Sequence, residues 1–311
     1  MSEEREMLRA TVAALVDKHA NSEAVRVAMD SDKGYDEKLW QLLCEQVGAA
    51  ALIVPEELGG AGGELADAAV VLEELAKALV PTPLLGTTLA ELALLATDQH
   101  APLEALAEGT SVGTVVFDRD YVLNGDVADV VIGAQDGRLS RWTDVTVTPA
   151  TAMDPTRRLA ALTAGGAEDL GTDPGLADTA AILLAVEQVG AAGRCLDLTV
   201  AYTKDRVQFG RPIGSFQALK HRMSDLFVKV SAARSIVNDA VAEPTPTSAS
   251  LARFMATEAF NAVAAEAIQM HGGIAITWES DIQLYFKRAH GSAQLLGPAR
   301  EHLRRLEAEV L

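Results

Sequence analysis

The chain has 311 residues, 49% hydrophobic and 23% charged, with a formal net charge of -18. That is enough for one large or two to three small domains of ordinary globular composition, and the acidic balance excludes a nucleic-acid binder, which needs clustered Lys and Arg. Two cysteines, Cys44 and Cys195, make neither a disulfide framework nor a metal site. They read as buried thiols in a reducing, cytoplasmic setting. The start, Met-Ser-Glu-Glu-Arg-Glu, lacks a signal-peptide layout. No charge-free apolar run of about 18 residues suggests a membrane span.

In chain order, residues 2–29 show helical spacing through Leu8, Val12, Leu15 and Val16. A second helix covers Glu37 to Val47, with Gly48 at the C-cap position. Leu52-Ile-Val-Pro55 is a short apolar connector, followed by a Gly-rich turn, Gly59 to Gly63. Asp67 begins a helix through Leu79 that Pro81 and Pro83 end. Thr87 or Thr88 caps another through Ala96, and Pro102 to Ala107 forms one more. Residues 1–108 are thus expected to be an N-terminal α-helical domain.

From Gly109 the pattern becomes short, β-branched and alternating: Val112 to Phe117, Tyr121 to Leu123, Val127 to Ile132, Leu139 to Trp142, Val145 to Val147 and Arg158 to Thr163. Asn124-Gly125 and Asp136-Gly137 are hairpin signals. Residues 109–170 are expected to be a small antiparallel β domain. Helices then resume, capped by Asp178 or Thr179, and run to about Lys204, from near Phe216, from about Leu251 to Met270, and from Ala299 to Val310. Leu219, Met223, Leu226, Val230, Ala233 and Val237 have the spacing of a bundle seam, and 243–248 reads as a loop. Residues 171–311 are expected to form a four-helix bundle.

The stretch Tyr202 to Gln217 connects the first two of these helices, and its content is unusual for a connector. Arg206 offers a planar fork that fits phosphate. Gln208 and Gln217 each carry a donor and an acceptor, and Phe209 and Phe216 offer flat faces. Gly210, Pro212 and Gly214 shape tight turns. Chemistry alone leaves two readings: a nucleotide pyrophosphate site, or a capped turn whose Lys204 and Arg206 serve a helix C-terminus.

Arg206-x-Gln-Phe-Gly-x-Pro-Ile-x-x-Phe-Gln217 resembles the C-terminal signature of the acyl-CoA dehydrogenase family. So do Gln269-Met-His-Gly-Gly273 with Glu279 and Lys287-Arg288-Ala289, and, near the N-terminus, Leu39-Trp40, Gly48 and Val54-Pro-Glu-Glu-Leu-Gly-Gly60. The three motifs keep the family's order and span most of the chain. The resemblance implies a mainly α fold with a small β domain, and a clamp for the ADP half of an FAD bound mainly by a neighbouring subunit. Carried over, the clamp comprises Arg206, Gln208, Phe209, Ile213, Phe216, Gln217, Gln269, Gly272 and Gly273.

The chain departs from the family where proton abstraction is done, which needs a carboxylate near the α-carbon of the acyl thioester. One family position for that Glu lies in a loop that here is His290 to Gly297, shortened and without a carboxylate; the other falls on Ala180, followed by Ala181. The Trp-Ile-Thr type segment that touches the flavin ring is replaced by Val127-Ala-Asp-Val130, and the Thr-Glu-Pro type segment before it is missing. No residue is therefore assigned as catalytic. Glu187, Glu279, His271 and His221 are read first as paired, structural or packing groups.

What is lost would serve this chain's own active site, and what is kept would serve a neighbour's FAD. The pattern resembles the smaller subunit of the two-subunit, heterotetrameric acyl-CoA dehydrogenases of actinobacterial steroid degradation. It implies a larger catalytic partner that binds most of a bulky acyl-CoA, with an electron-transfer flavoprotein as acceptor. Two alternatives stand beside this expectation: a self-sufficient homo-oligomer with a displaced carboxylate base, and a family-derived scaffold without FAD.

Overall fold

The computed structural model describes residues 2–97 and 99–310. Helix α1 (Glu3–His19) is capped by Ser2, and α2 (Ser22–Met29) by Asn21, whose Oδ1 accepts from the Ala24 amide at 2.9 Å. That cap breaks the single helix expected over 2–29, because an Asx side chain satisfies free helical N–H groups best from a non-helical residue. Helix α3 (Glu37–Leu42) passes into one π turn, Leu43–Val47, which Gly48 closes at φ 68°. Trp40 Nε1 donates to the Gly109 carbonyl at 2.9 Å and ties this segment to the start of the sheet.

Helix α4 (Leu65–Lys77) begins before Asp67, which instead completes a capping box with Glu64. Helix α5 (Leu84–Leu95) starts directly after Pro83, not at Thr87 or Thr88. Both threonines are buried, and Thr87 Oγ1 accepts from the Gly113 amide at 3.2 Å. The hydroxyl read as a cap is spent on the first N–H of a strand. Helix α6 spans Leu103–Ala107.

Five strands follow: β1 (Gly113–Val116), β2 (Val122–Leu123), β3 (Val130–Gln135), β4 (Arg138–Ala150) and β5 (Leu159–Thr172), in the order β1-β3-β4-β5-β2. The sheet is mixed, since β1 and β3 pair in parallel. Asp136 and Gly137, at φ 53° and 72°, make the β3–β4 hairpin as expected. Asn124-Gly125 does not make one. Asn124 takes φ 50°, but β2 pairs with β5. Turn chemistry fixes the local bend; the partner strand is chosen by what the rest of the sheet offers. The strands expected over 139–142 and 145–147 are one strand, β4, and β5 runs past Thr163.

Helix α7 (Leu176–Asp205) begins one turn earlier than Asp178; Asp173 Oδ1 accepts from the Gly175 and Leu176 amides at 3.0 and 2.8 Å. It is long and apolar enough to cross a membrane, but 72% of its most apolar window is buried within the protein. It is the spine of the molecule, packing on α4, on α8 (Gln217–Ala242), on α9 (Pro246–His271) and on α10 (Ile282–Ser292). The loop expected over 243–248 is shorter, because Thr245 and Ser248 form a capping box and Pro246 takes the first helical position. Helix α10, not marked from sequence, joins α11 (Ala299–Val310) as a fifth helix of this part. On α8 the seam residues Leu226, Val230, Ala233 and Val237 are buried. The whole is mainly helical with a small sheet.

Candidate functional site

The Tyr202–Gln217 connection folds into a two-stranded hairpin, β6 (Val207–Gln208) and β7 (Arg211–Pro212), then a 3₁₀ turn, Ile213–Ser215. Its loop residues Phe209 and Gly210 both take positive φ, 54° and 77°, the geometry of a type I′ turn. Glycine suits that region; a bulky side chain does not. Phe209 is also 92% exposed, so little burial offsets its strained backbone. Residues held this way concentrate at ligand clamps and switches.

The hairpin lies close against α7. A Cβ on Gly214 would stand 2.9 Å from both the Thr203 carbonyl and its hydroxyl, so only glycine lets the turn approach. Phe216 meets Phe209 edge-on at 6.2 Å, and Arg211 covers its ring at 4.0 Å. Facing the hairpin is the end of α9, where Gly272 takes φ 65°, ψ -144°, a region open essentially to glycine. His271 stacks on Tyr202 at 4.1 Å and its Nδ1 lies 2.9 Å from the Ala267 carbonyl. Burial pushes its pKa down, and it holds the two walls together as a packing group.

Between these walls is an open concavity of about 570 Å³, lined among others by Arg206, Gln208, Phe209, Ile213, Phe216, Gln269, Gly272 and Gly273. The structure thus brings together eight of the nine residues named for a cofactor clamp. The ninth, Gln217, stands at the first position of α8 outside the lining, with its amide nitrogen 2.8 Å from His221 Nε2. The Arg206 backbone is engaged, its N–H with the Tyr202 carbonyl at 2.9 Å and its carbonyl with the Ile213 amide at 2.8 Å, while its guanidinium has no hydrogen bond or ion pair among the described residues. The Gln208 amide donates only to its neighbouring Val207 carbonyl, at 2.8 Å. A free guanidinium, exposed amides, two aromatic faces and a glycine backbone suit a purine nucleotide with phosphates. Among the described residues, no group of three potential ligands could hold a metal ion.

A second cavity, also about 570 Å³, lies between the sheet, the start of α7 and the loop after α10. Its walls are mainly apolar, and they include Ala177, one turn from Ala180, and the segment Gln294 to Gly297. Both segments read as family positions for a base therefore border this cavity. Ala180 itself is fully buried. His290–Ser292 continue α10, so the loop proper is shorter than His290–Gly297.

The two buried or half-buried acids beside this cavity are ion-paired. Glu187 accepts from Arg157 at 2.6 Å. Asp154 accepts from Arg288 at 2.6 Å and from the Thr156 hydroxyl at 2.6 Å, and both partners in that ion pair are buried. Asp118 stands exposed at the rim and accepts from the Asp120 amide. Glu279 is exposed and does not line the cavity. Sequence reasoning missed Arg253, which is fully buried on α9. Its guanidinium donates to Gln188 Oε1 and the Leu295 carbonyl, each at 2.7 Å, and also to Thr257 Oγ1 and the Ser292 carbonyl. It fixes the loop where the family base would stand. An arginine on the apolar face of Ala249, Ala252, Ala256 and Phe260 was the available signal.

The family description "Acyl-CoA dehydrogenase, N-terminal domain" matches residues 2–100, and "Acyl-CoA dehydrogenase, C-terminal domain" matches residues 177–311. Acyl-CoA dehydrogenase IpdE2 of Mycolicibacterium smegmatis is 70% identical over 310 residues, covering 100% of both chains; its Mycobacterium tuberculosis counterpart is 67% identical, over 99% of this chain and 98% of that one. Among solved structures, a chain of the Tcur3481–Tcur3483 steroid ACAD, in a variant form, superposes with a TM-score of 0.91 at 26% identity, over 99% of this chain and 98% of that one. A chain of the ChsE4–ChsE5 complex from Mycobacterium tuberculosis gives 0.88 at 24% identity, over 100% and 98%, a likeness of fold.

Proposed function

The chain belongs to the acyl-CoA dehydrogenase family, and from that premise we propose that it is the non-catalytic subunit of a heterotetrameric, FAD-dependent acyl-CoA dehydrogenase. It lends the hairpin concavity to the ADP half of an FAD whose reacting ring, together with the acyl-CoA, is held mainly by a larger family chain. One asymmetry carries this reading. The concavity keeps an unpaired Arg206 and a strained, solvent-facing Phe209, while the carboxylates around the chain's own cavity are ion-paired or stand at its solvent rim.

Arg206 would bind pyrophosphate oxygens. Gln208 and Gln269 would read the polar edge of the nucleotide, and the Gly272–Gly273 backbone would permit its close approach. FAD, when bound, supplies the acceptor for the β-hydride of the acyl group. This chain's residues orient the cofactor and exclude water from its adenosine end, and the partner removes the α-proton. The structural likeness to a two-chain steroid ACAD supports a bulky, ring-bearing acyl group. An electron-transfer flavoprotein is the acceptor that family resemblance supplies. Two buried free thiols suit a reducing, cytoplasmic setting.

The test is co-expression with each larger family chain of the same genome, scored by flavin absorbance and turnover. One complex should be yellow and active, and Arg206→Ala in this chain should lower its FAD content while leaving the complex assembled. A homo-oligomer of this chain alone, with one FAD per chain and turnover, would overturn the reading.

A further inference from the structure

Next to the second cavity lies a buried charge cluster that does not balance. Three guanidiniums, Arg157, Arg253 and Arg288, stand close enough for Arg157 to oppose the charge of both others. Two carboxylates answer them: Glu187 pairs with Arg157 and Asp154 with Arg288. Arg253 is fully buried and its hydrogen-bond partners are all neutral. Burial pushes its pKa down to about 9, with no carboxylate raising it. A buried cation without a counter-charge is expensive, and natural proteins normally supply one.

The opening toward a counter-ion is through Arg157. Its side chain is 8% exposed and lines the cavity, and its Nε is buried with no hydrogen-bond partner among the described residues. The Nε of Arg253 is also buried and unpartnered. The rest of the cavity wall is mainly apolar, from Leu89, Val115, Phe117, Leu159 and Leu295. At about 570 Å³ the space is of the size that small-molecule sites have. Asp118 is the other carboxylate at its edge, exposed and screened by water.

We infer that this cavity is a binding site for an apolar small molecule bearing one free carboxylate, held with its head on Arg157 and its body against the sheet and the loop after α10. One negative charge set against the Arg157 guanidinium neutralises the surplus of the cluster. The molecule is held there and not turned over, because Glu187 and Asp154 are committed to arginines and Asp118 stands out in solvent at the rim. A thioester or amide, which carries no charge at that end, leaves the cluster unbalanced and binds more weakly. The site is separate from the hairpin concavity, so it stands whether or not that surface grips FAD.

The test uses the full chain in its purified complex, with decanoate as probe and decanamide as the uncharged control, each below its aggregation limit, in isothermal titration calorimetry. Decanoate should bind once per copy of this chain, about ten- to a hundredfold tighter than decanamide, the range for one hydrogen-bonded charge. Arg157→Met combined with Glu187→Met removes the pair without stranding a charge, and should bring decanoate down to the decanamide level. Ala152→Trp fills the cavity and leaves the cluster intact; it should abolish binding of both. Because the substitutions lie in this chain, a site in the partner cannot mimic the loss. Equal binding of the two probes, or decanoate binding that survives Ala152→Trp, would overturn the assignment.

Discussion

Phe209→Asn separates the stability of the hairpin from its use. Phe209 sits at φ 54° with 92% of its surface exposed. A bulky residue in the left-handed region costs roughly 1–2 kcal/mol. Asn tolerates that region far better, and Asn-Gly is the favoured pair for a two-residue turn of this hand. Against the relief stands the edge-on contact with Phe216 at 6.2 Å, which in solvent falls at the low end of about 0.5–1.5 kcal/mol. Stability should therefore change by less than about 1 kcal/mol, toward a more stable chain. Stacking a base on an aromatic ring contributes about 1–3 kcal/mol, so the affinity of the complex for FAD should fall about five- to 150-fold. Urea denaturation reads the first quantity, and flavin-fluorescence titration of the deflavinated complex reads the second. FAD affinity unchanged within about twofold, or a stability loss above about 2 kcal/mol, would show that Phe209 is strained for some other purpose.

Three further outcomes follow from two buried carboxylates and one close backbone approach. Glu91 is fully buried with both carboxyl oxygens unpartnered among the described residues, and burial pushes its pKa well above the ordinary 4.5. The folded chain then keeps a proton that the unfolded chain releases, so stability falls by about 1.4 kcal/mol per pH unit above 4.5 until the folded pKa is passed. Glu91→Met should remove that slope, and its advantage over the parent should grow by about this amount between pH 5 and 6 in urea titrations. Asp154→Asn strands Arg288 in the interior and should cost about 3–5 kcal/mol; a urea midpoint within error of the parent would contradict the role given to this pair. Gly214→Ala forces a methyl against Thr203 and should cost about 1–3 kcal/mol, with loss of FAD content before loss of helicity by circular dichroism.

Much of the site was legible because its residues are neighbours in sequence. The hairpin signature from Arg206 to Gln217 and the Gln269–Gly273 turn are local codes, and each needs glycine at particular backbone angles that any observer of the sequence can suspect. Helix α10 was not legible. From sequence its segment shows a motif and a loop, and its buried face, with Ile282, Leu284, Tyr285 and Ala289, gains meaning only against α7 and α9. The caps assigned to Thr87, Thr88 and Asp178 failed for a related reason: a hydroxyl or carboxylate can serve several partners, and the sequence does not say which one the fold brings near.

By itself the sequence determined the mainly helical class with its β insert, the ends of several helices and the chemistry of the hairpin, all consequences of periodicity and short-range backbone preference. The tertiary structure alone decided which strands pair, how the two walls of the concavity face each other, and which carboxylates are already engaged. Those depend on contacts between residues far apart in the chain, as between Arg288 and Asp154, where burial turns ordinary surface residues into a committed pair.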